Sequence, residues 1–175
     1  MAMGDNRVRY GGVTRFLHWG IALLLLWQFT SVSAHFFWAD SAFEQWIWPT
    51  HKPLGFVLCS LAIVRLLWAI MNASRRPPSI SFFAKLGHLA LYLLVIVVPG
   101  LALLRQYGSG RTFEPFGIPL MTGHSDKITW MTDLGSALHS TLGWVLLALI
   151  IGHILMAIAH KHLGSSDDVM PRMWR

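Results

Sequence analysis

The chain has 175 residues, 54% hydrophobic and 13% charged, with nine Trp and ten Phe, whereas a soluble domain carries about 25% charged residues. That mixture excludes a disordered chain and an ordinary soluble enzyme, and the one cysteine, Cys59, excludes an internal disulfide or a site built from several thiolates. The formal charge of +6 then reads as a means of fixing orientation in a bilayer, with no nucleic-acid partner.

A helix needs about 20 apolar residues to cross the hydrocarbon core. Four segments qualify, and helices are predicted over about 16–38, 53–72, 85–104 and 134–160. The first is charge-free from Phe16 to Ala39 and follows Arg7, Arg9 and Arg15. It is about twice the usual signal-peptide length and carries His18, Trp19 and Gln28, so it reads as a retained helix. The second is interrupted only by Arg65. The polar stretch Asn72 to Ser81 contains Pro77-Pro78 and makes helices two and three antiparallel neighbours. After the third helix, Gly108, Gly110, Pro115, Gly117, Pro119 and Gly123 predict a long non-helical loop from Arg105 to Asp133. Trp38, Trp46, Trp48 and Trp130 are expected in an aromatic belt. No segment alternates strictly, so a barrel is excluded. The expected fold is all-α: an integral membrane four-helix bundle, one domain over 1–175.

Basic residues set the orientation. The N-terminal tail has Arg7, Arg9 and Arg15, the second loop Arg75, Arg76 and Lys85, and the C-terminal tail Lys161, Arg172 and Arg175. The first loop has Lys52 alone, and the third has Arg105, Arg111 and Lys127. Both termini of this multi-pass protein are therefore expected in the cytoplasm, and the other two loops outside, which in a two-membrane bacterium means the periplasm of the inner (plasma) membrane.

Ionisable residues inside a membrane are costly and point to function. His18, His139 and His153 fall within predicted helices, and His51 opens the second. His18 and His153 share the inner half of the bilayer, and His51 and His139 the outer half. His139 and His153 are 14 residues apart, about 21 Å of rise and nearly four turns, so they share one helix face at two depths. That arrangement suits two cofactors stacked across a membrane, and His is an axial ligand of haem iron. Gly20, Gly55, Gly87, Gly143 and Gly152 would let flat rings approach the backbone. Zinc is the competing reading, but a catalytic zinc wants three protein ligands near one point. The bland alternative makes each His a hydrogen-bonded core residue; four at two matched depths argue against it. For His35, His124 and His162 the structural or interfacial reading is the better one. Arg65, inside helix two, calls for an anionic partner, and a haem propionate would match it bidentately; snorkelling to the interface is the alternative.

These residues lie in stretches that resemble the bacterial cytochrome b561 family, the small four-helix di-haem type. The marks are RYGGVTRFLHW with His18, HKPLG with His51, IVRLLW with Arg65, GHLALYLLVIVVPG with His88, LHSTLGW with His139, IGHILMAIAHKH with His153, and DVMPRM from Asp168 to Met173. The pattern is shared with the cytochrome b subunits of nickel-iron hydrogenases. The resemblance implies two haem b groups, the inner on His18 and His153 and the outer on His51 and His139. No Cys-x-x-Cys-His motif occurs, so neither haem is expected to be covalent. The resemblance also implies electron transfer from a periplasmic one-electron donor to ubiquinone or another quinone, with superoxide oxidase-like, quinone-reducing activity as the enzymatic form. Lys52, Arg105 and Arg111 are candidates for steering an anionic donor. Steering has to be local, because the outer loops also hold Asp40, Glu44, Glu114, Asp126 and Asp133. His88 and His160 are candidates for a quinone site near the inner face. The rival reading is a haem-bearing anchor subunit that serves a hydrophilic dehydrogenase or hydrogenase. A His-relay transporter is a third, and a homodimer is left open.

Overall fold

The computed structural model describes residues 3–162 and 169–174; Asp168 of the C-terminal motif and Arg175 of the basic tail lie outside the described residues. The chain forms α1 (Gly12–Phe37), α2 (Ala42–Ile47), α3 (His51–Met71), α4 (Phe82–Gly108), α5 (Thr129–His162) and α6 (Met170–Trp174). Among the described residues, four helical stretches are long and apolar enough to cross a membrane: Gly12–Phe37, Ala42–Met71, Phe82–Gly108 and Thr129–His162. The protein is the all-α membrane bundle that its apolar runs predict.

The helices extend beyond those runs because polar residues cap them. Ser81 Oγ accepts the Ala84 N–H at 3.0 Å and starts α4 ahead of Lys85. At the other end of α4, Arg105 accepts the Ser109 N–H. Arg105 therefore sits in the last turn of a helix, not in the predicted loop. The first connection is also helical, against expectation. Ser41 Oγ accepts the Glu44 N–H at 3.1 Å, the Ser-x-x-Glu start of a capping box. Pro49 then forces Trp48–Thr50 into a tight 3₁₀ turn that delivers His51 to the start of α3.

α1 packs on α3, α3 on α4, and α4 along α5. The predicted neighbours on either side of Pro77-Pro78 therefore do meet. The α4–α5 contact is close because two glycines lie in it. A Cβ at Gly135 would stand 2.5 Å from Arg105 Cβ, and one at Gly108 2.5 Å from Met131 Cβ. In lipid, such close approach supplies the packing that hydrophobic burial cannot. The core is Ile21, Leu58, Ala62, Val95, Val98 and Leu146. Leu146 lies seven residues from both His139 and His153, so this apolar layer separates the two histidine levels.

The N-terminal tail, the α3–α4 connection and α6 meet at one end of the bundle, here called the terminal end. Asp5 is buried there, and its Oδ1 accepts from Gly11 N (2.8 Å) and Thr14 Oγ1 (2.7 Å). Thr14 Oγ1 in turn accepts from Trp68 Nε1 at 2.9 Å, and Arg76 Nε stands 3.3 Å from Asp5 Oδ2. Arg172 ties α6 to this end: its Nη1 donates to Pro78 O (3.0 Å), and its carbonyl accepts from Tyr10 N (3.1 Å). Trp19 adds a bond from Nε1 to Met173 O (3.3 Å) and an edge contact with Trp174.

Candidate functional site

α5 faces α1 and α3 across two pairs of histidines. At the terminal end, His18 of α1 and His153 of α5 have ring centres 6.3 Å apart and planes at 87°. At the opposite, loop end, His51 of α3 and His139 of α5 have ring centres 6.3 Å apart and planes at 89°. The structure thus brings together the pairs that depth along the helices predicts.

The spacing identifies what could lie between them. Two imidazoles on opposite sides of one metal, each nitrogen about 2.0 Å from it and each ring centre about 1.1 Å behind its nitrogen, have centres about 6.2 Å apart, whereas a tetrahedral angle would bring them to about 5 Å. Both pairs match the first figure, and neither pair is close enough for a direct hydrogen bond to explain it. Among the described residues, no three His, Cys, Asp or Glu side chains converge as a zinc site would require.

Hydrogen bonds fix which nitrogen of the loop-end pair is available. His139 Nδ1 lies 2.9 Å from Val98 O, just before the Pro99 inside α4. A carbonyl only accepts, so Nδ1 carries the proton and Nε2 keeps its lone pair. His51 Nδ1 lies 3.0 Å from Ser31 Oγ. The Ser31 proton goes to Gln28 O at 2.7 Å, so Ser31 accepts from His51 and leaves that Nε2 free as well. Such outer partners orient histidine ligands in metal sites. The sequence reading did not find Ser31, a polar residue at a fully buried position of α1; its polarity inside an apolar run was the available signal.

At the terminal-end pair, His18 Nδ1, Arg65 Nε and Tyr92 Oη are buried without a hydrogen-bond partner among the described residues. Arg65 stacks its guanidinium 5.2 Å from the Tyr92 ring centre. Its Nε is buried, so the side chain packs against α4 through Tyr92. A buried guanidinium Nε and a phenol hydroxyl without partners among the described residues are donors that a carboxylate could take up. Tyr92 is a further residue that sequence reasoning missed.

Four of the five glycines proposed to admit a flat ring, Gly20, Gly87, Gly143 and Gly152, have no side chain or distant backbone within 4 Å of a would-be Cβ. Gly55 differs: its Cβ would meet Gln28 Nε2 at 3.1 Å, and that amide donates to His51 O. Gly55 therefore serves the α1–α3 contact.

His88 has its ring 5.5 Å from that of His153. It also lines a cavity of about 480 Å³ between α3 and α4, with Ala69, Arg76, Lys85, Leu89 and Tyr92. His160 is half-buried near the end of α5 and does not line that cavity. Lys52, Arg105 and Arg111 are all exposed, and no described bond gathers them into one site. Trp38, Trp46 and Trp130 are exposed as a belt requires, but Trp48 is half-buried between His35 and His51. His124 is structural as expected, with Nε2 2.9 Å from Tyr107 O.

A four-helix membrane bundle with metal-spaced histidine pairs at two levels belongs to the class of membrane-bound b-type cytochromes. The family model described as prokaryotic cytochrome b561 matches residues 9–175, and the chain belongs to that family. It is 29% identical to cytochrome b561 homolog 2 of Escherichia coli (strain K12), over 99% of this chain and 95% of the relative. It is 26% identical to the probable superoxide oxidase CybB of Yersinia pestis, over 90% of each chain. The protein is thus a multi-pass bacterial inner-membrane protein with a haem b electron-transfer role.

Proposed function

We propose that the chain holds two haem b groups, one between His18 and His153 and one between His51 and His139, and passes electrons from a periplasmic one-electron donor to a quinone. The observation that carries this is the equal 6.3 Å ring separation at two levels of one bundle. A haem held by two of these imidazoles would supply one-electron transfer. His139 and His51 present Nε2 to the site because Val98 O and Ser31 Oγ hold the other nitrogen. Arg65 and Tyr92 supply donors for a propionate. The basic residues of the tails and of the α3–α4 connection favour a cytoplasmic terminal end.

The quinone site favoured by the geometry is the cavity beside His88, because that histidine touches His153 on one side and the cavity on the other. The resemblance to a probable superoxide oxidase makes superoxide the first donor to test. Haem content per polypeptide and reduced-minus-oxidised spectra, on wild type, His51→Ala and His153→Ala, test the assignment. Two b haems, with a different one lost in each variant, are expected. Haem retained in both variants would sink the ligand pairs. A tightly co-purifying hydrophilic subunit would favour the anchor-subunit reading instead.

A further inference from the structure

Spacing alone makes His35 an interfacial residue. The structure makes it the outer end of a column of rings. The His35 ring lies 3.9 Å from the Trp48 ring, centre to centre, with planes 5° apart. Trp48 stacks in turn on His51, at 4.9 Å and 26°. Glu44 fixes the first ring: its Oε1 lies 2.8 Å from His35 Nδ1. The His35 side chain is 51% exposed and that of Glu44 only 11%. Each member has a local cause. Ser41 caps α2 and so places Glu44, and the Pro49 turn sets Trp48 against His51. Two stacked rings therefore connect the surface to one loop-end histidine with no aliphatic gap. Among the described residues, His139 has no ring contact besides the one with His51.

We infer that electrons enter the protein through this column: the donor meets the exposed side of His35, and His35 and Trp48 conduct to His51. One electron leaves the donor, which is oxidised by one, and the iron held by His51 and His139 is reduced by one. No bond is made or broken and no proton moves. Asp40 and Glu44 outweigh Lys52 in formal charge along this stretch, so the entry point is not selective for anions. A cationic reductant should use it as well as superoxide does. The inference rests on the di-haem reading above.

The test is stopped-flow reduction of the purified holoprotein by two probes of opposite charge, hexaammineruthenium(II) and superoxide. Trp48→Leu, His35→Ala and Trp48→Phe are compared with wild type. The EPR signal and midpoint potential of the loop-end haem are recorded on each. Trp48→Leu is expected to slow reduction about tenfold with both probes, and His35→Ala several-fold. Trp48→Phe, which keeps a stacked ring, should stay near wild type, with EPR signal and potential unchanged throughout. Unchanged rates in Trp48→Leu and His35→Ala, with both haems present, would overturn the inference and leave the di-haem reading standing. A rate loss matched by a shifted EPR signal or potential would overturn it too, because the stack would then only orient His51. If Trp48→Leu does not fold, His35→Ala decides alone, since that ring is half in solvent. A wild type without a loop-end haem would remove both the reading and the inference.

Discussion

His139 gives its Nδ1 proton to the carbonyl of Val98, 2.9 Å away, and that bond turns its other nitrogen toward His51. The acceptor is backbone, so no side-chain substitution at position 98 removes it. The carbonyl precedes the Pro99 inside α4, which has no N–H to give the Val95 carbonyl and whose ring crowds it. Pro99→Ala should restore that hydrogen bond and shift Val98 O. The expected outcome is reduced occupancy of the loop-end haem and a full terminal-end haem, read as the ratio of the two components in a redox titration. Equal occupancy of both in the variant would show that the Val98 bond does not govern this ligand.

Ser31→Ala tests the matching bond on α1. Ser31 is fully buried and stands between Gln28 O and His51 Nδ1. Its loss leaves a buried imidazole N–H without an acceptor, which costs about 1–3 kcal/mol. Outer-shell losses of this kind weaken metal binding about 10–100-fold. Haem should leave the loop-end site of Ser31→Ala at detergent or chelator conditions that wild type tolerates. Ser31→Thr, which keeps the hydroxyl, should recover most of the retention.

Arg65 should act on the terminal-end haem alone. It stacks on Tyr92 inside the bundle, and its Nε has no hydrogen-bond partner among the described residues. A fixed positive charge favours the reduced, less positive iron, by on the order of 1–2 kcal/mol at partly screened distances. Arg65→Met is therefore expected to lower the midpoint potential of that haem, while Arg65→Lys lowers it less. A potential that moves at the loop-end haem instead would place Arg65 at the wrong level.

The Asp5 network predicts a stability effect at the terminal end. Asp5 accepts from Gly11 N and Thr14 Oγ1 and faces Arg76, and Thr14 joins it to Trp68 at the end of α3. Removing one partner of a buried ion pair costs about 3–5 kcal/mol. Arg76 keeps some exposure and stacks on Tyr10, so Asp5→Ala should fall at the low end of that range. Thermal unfolding in detergent would measure it. Thr14→Val, which keeps the volume and loses the hydroxyl, should cost less. A Tm equal to wild type in Asp5→Ala would mean that the tail does not brace the bundle.

The spans and the two histidine levels were legible because both follow from one chain variable, position along a helix. Apolar length gives the spans, and 14 residues at 3.6 per turn gives one face at two depths. What stayed hidden depends on who sits opposite. Ser31, Val98 O and Tyr92 meet the histidines and Arg65 only through packing between helices, and nothing in their local sequence names a partner. The same holds for Asp5 with Arg76, and for Arg172 with Pro78, which are 94 residues apart. α2 was missed for a different reason. Its capping signal, Ser41 with Glu44, was present, but a six-residue helix has too few apolar positions to show a period.

The glycines separate packing from cofactor space. Those chosen for haem from sequence, apart from Gly55, have open space where a side chain would go, whereas Gly135 is held against Arg105 and Leu101. Gly135→Ala would press a methyl group on Arg105 Cβ at 2.5 Å and on the Leu101 carbonyl at 2.6 Å. Backbone there cannot yield without parting α4 from α5, and overpacking of this kind costs about 1–3 kcal/mol. Gly143 is one turn from His139, on the same face. A Cβ at Gly143 has no neighbouring element within 4 Å, so Gly143→Leu should leave the helical fold of the haem-free protein intact. It should nevertheless exclude the loop-end haem, because the added side chain fills the space beside that ligand. Gly135→Ala should show the reverse: lower stability with or without haem, and no preference between the two haem sites. Loss of the loop-end haem from Gly135→Ala but not from Gly143→Leu would mean that the space in front of His139 does not hold the cofactor.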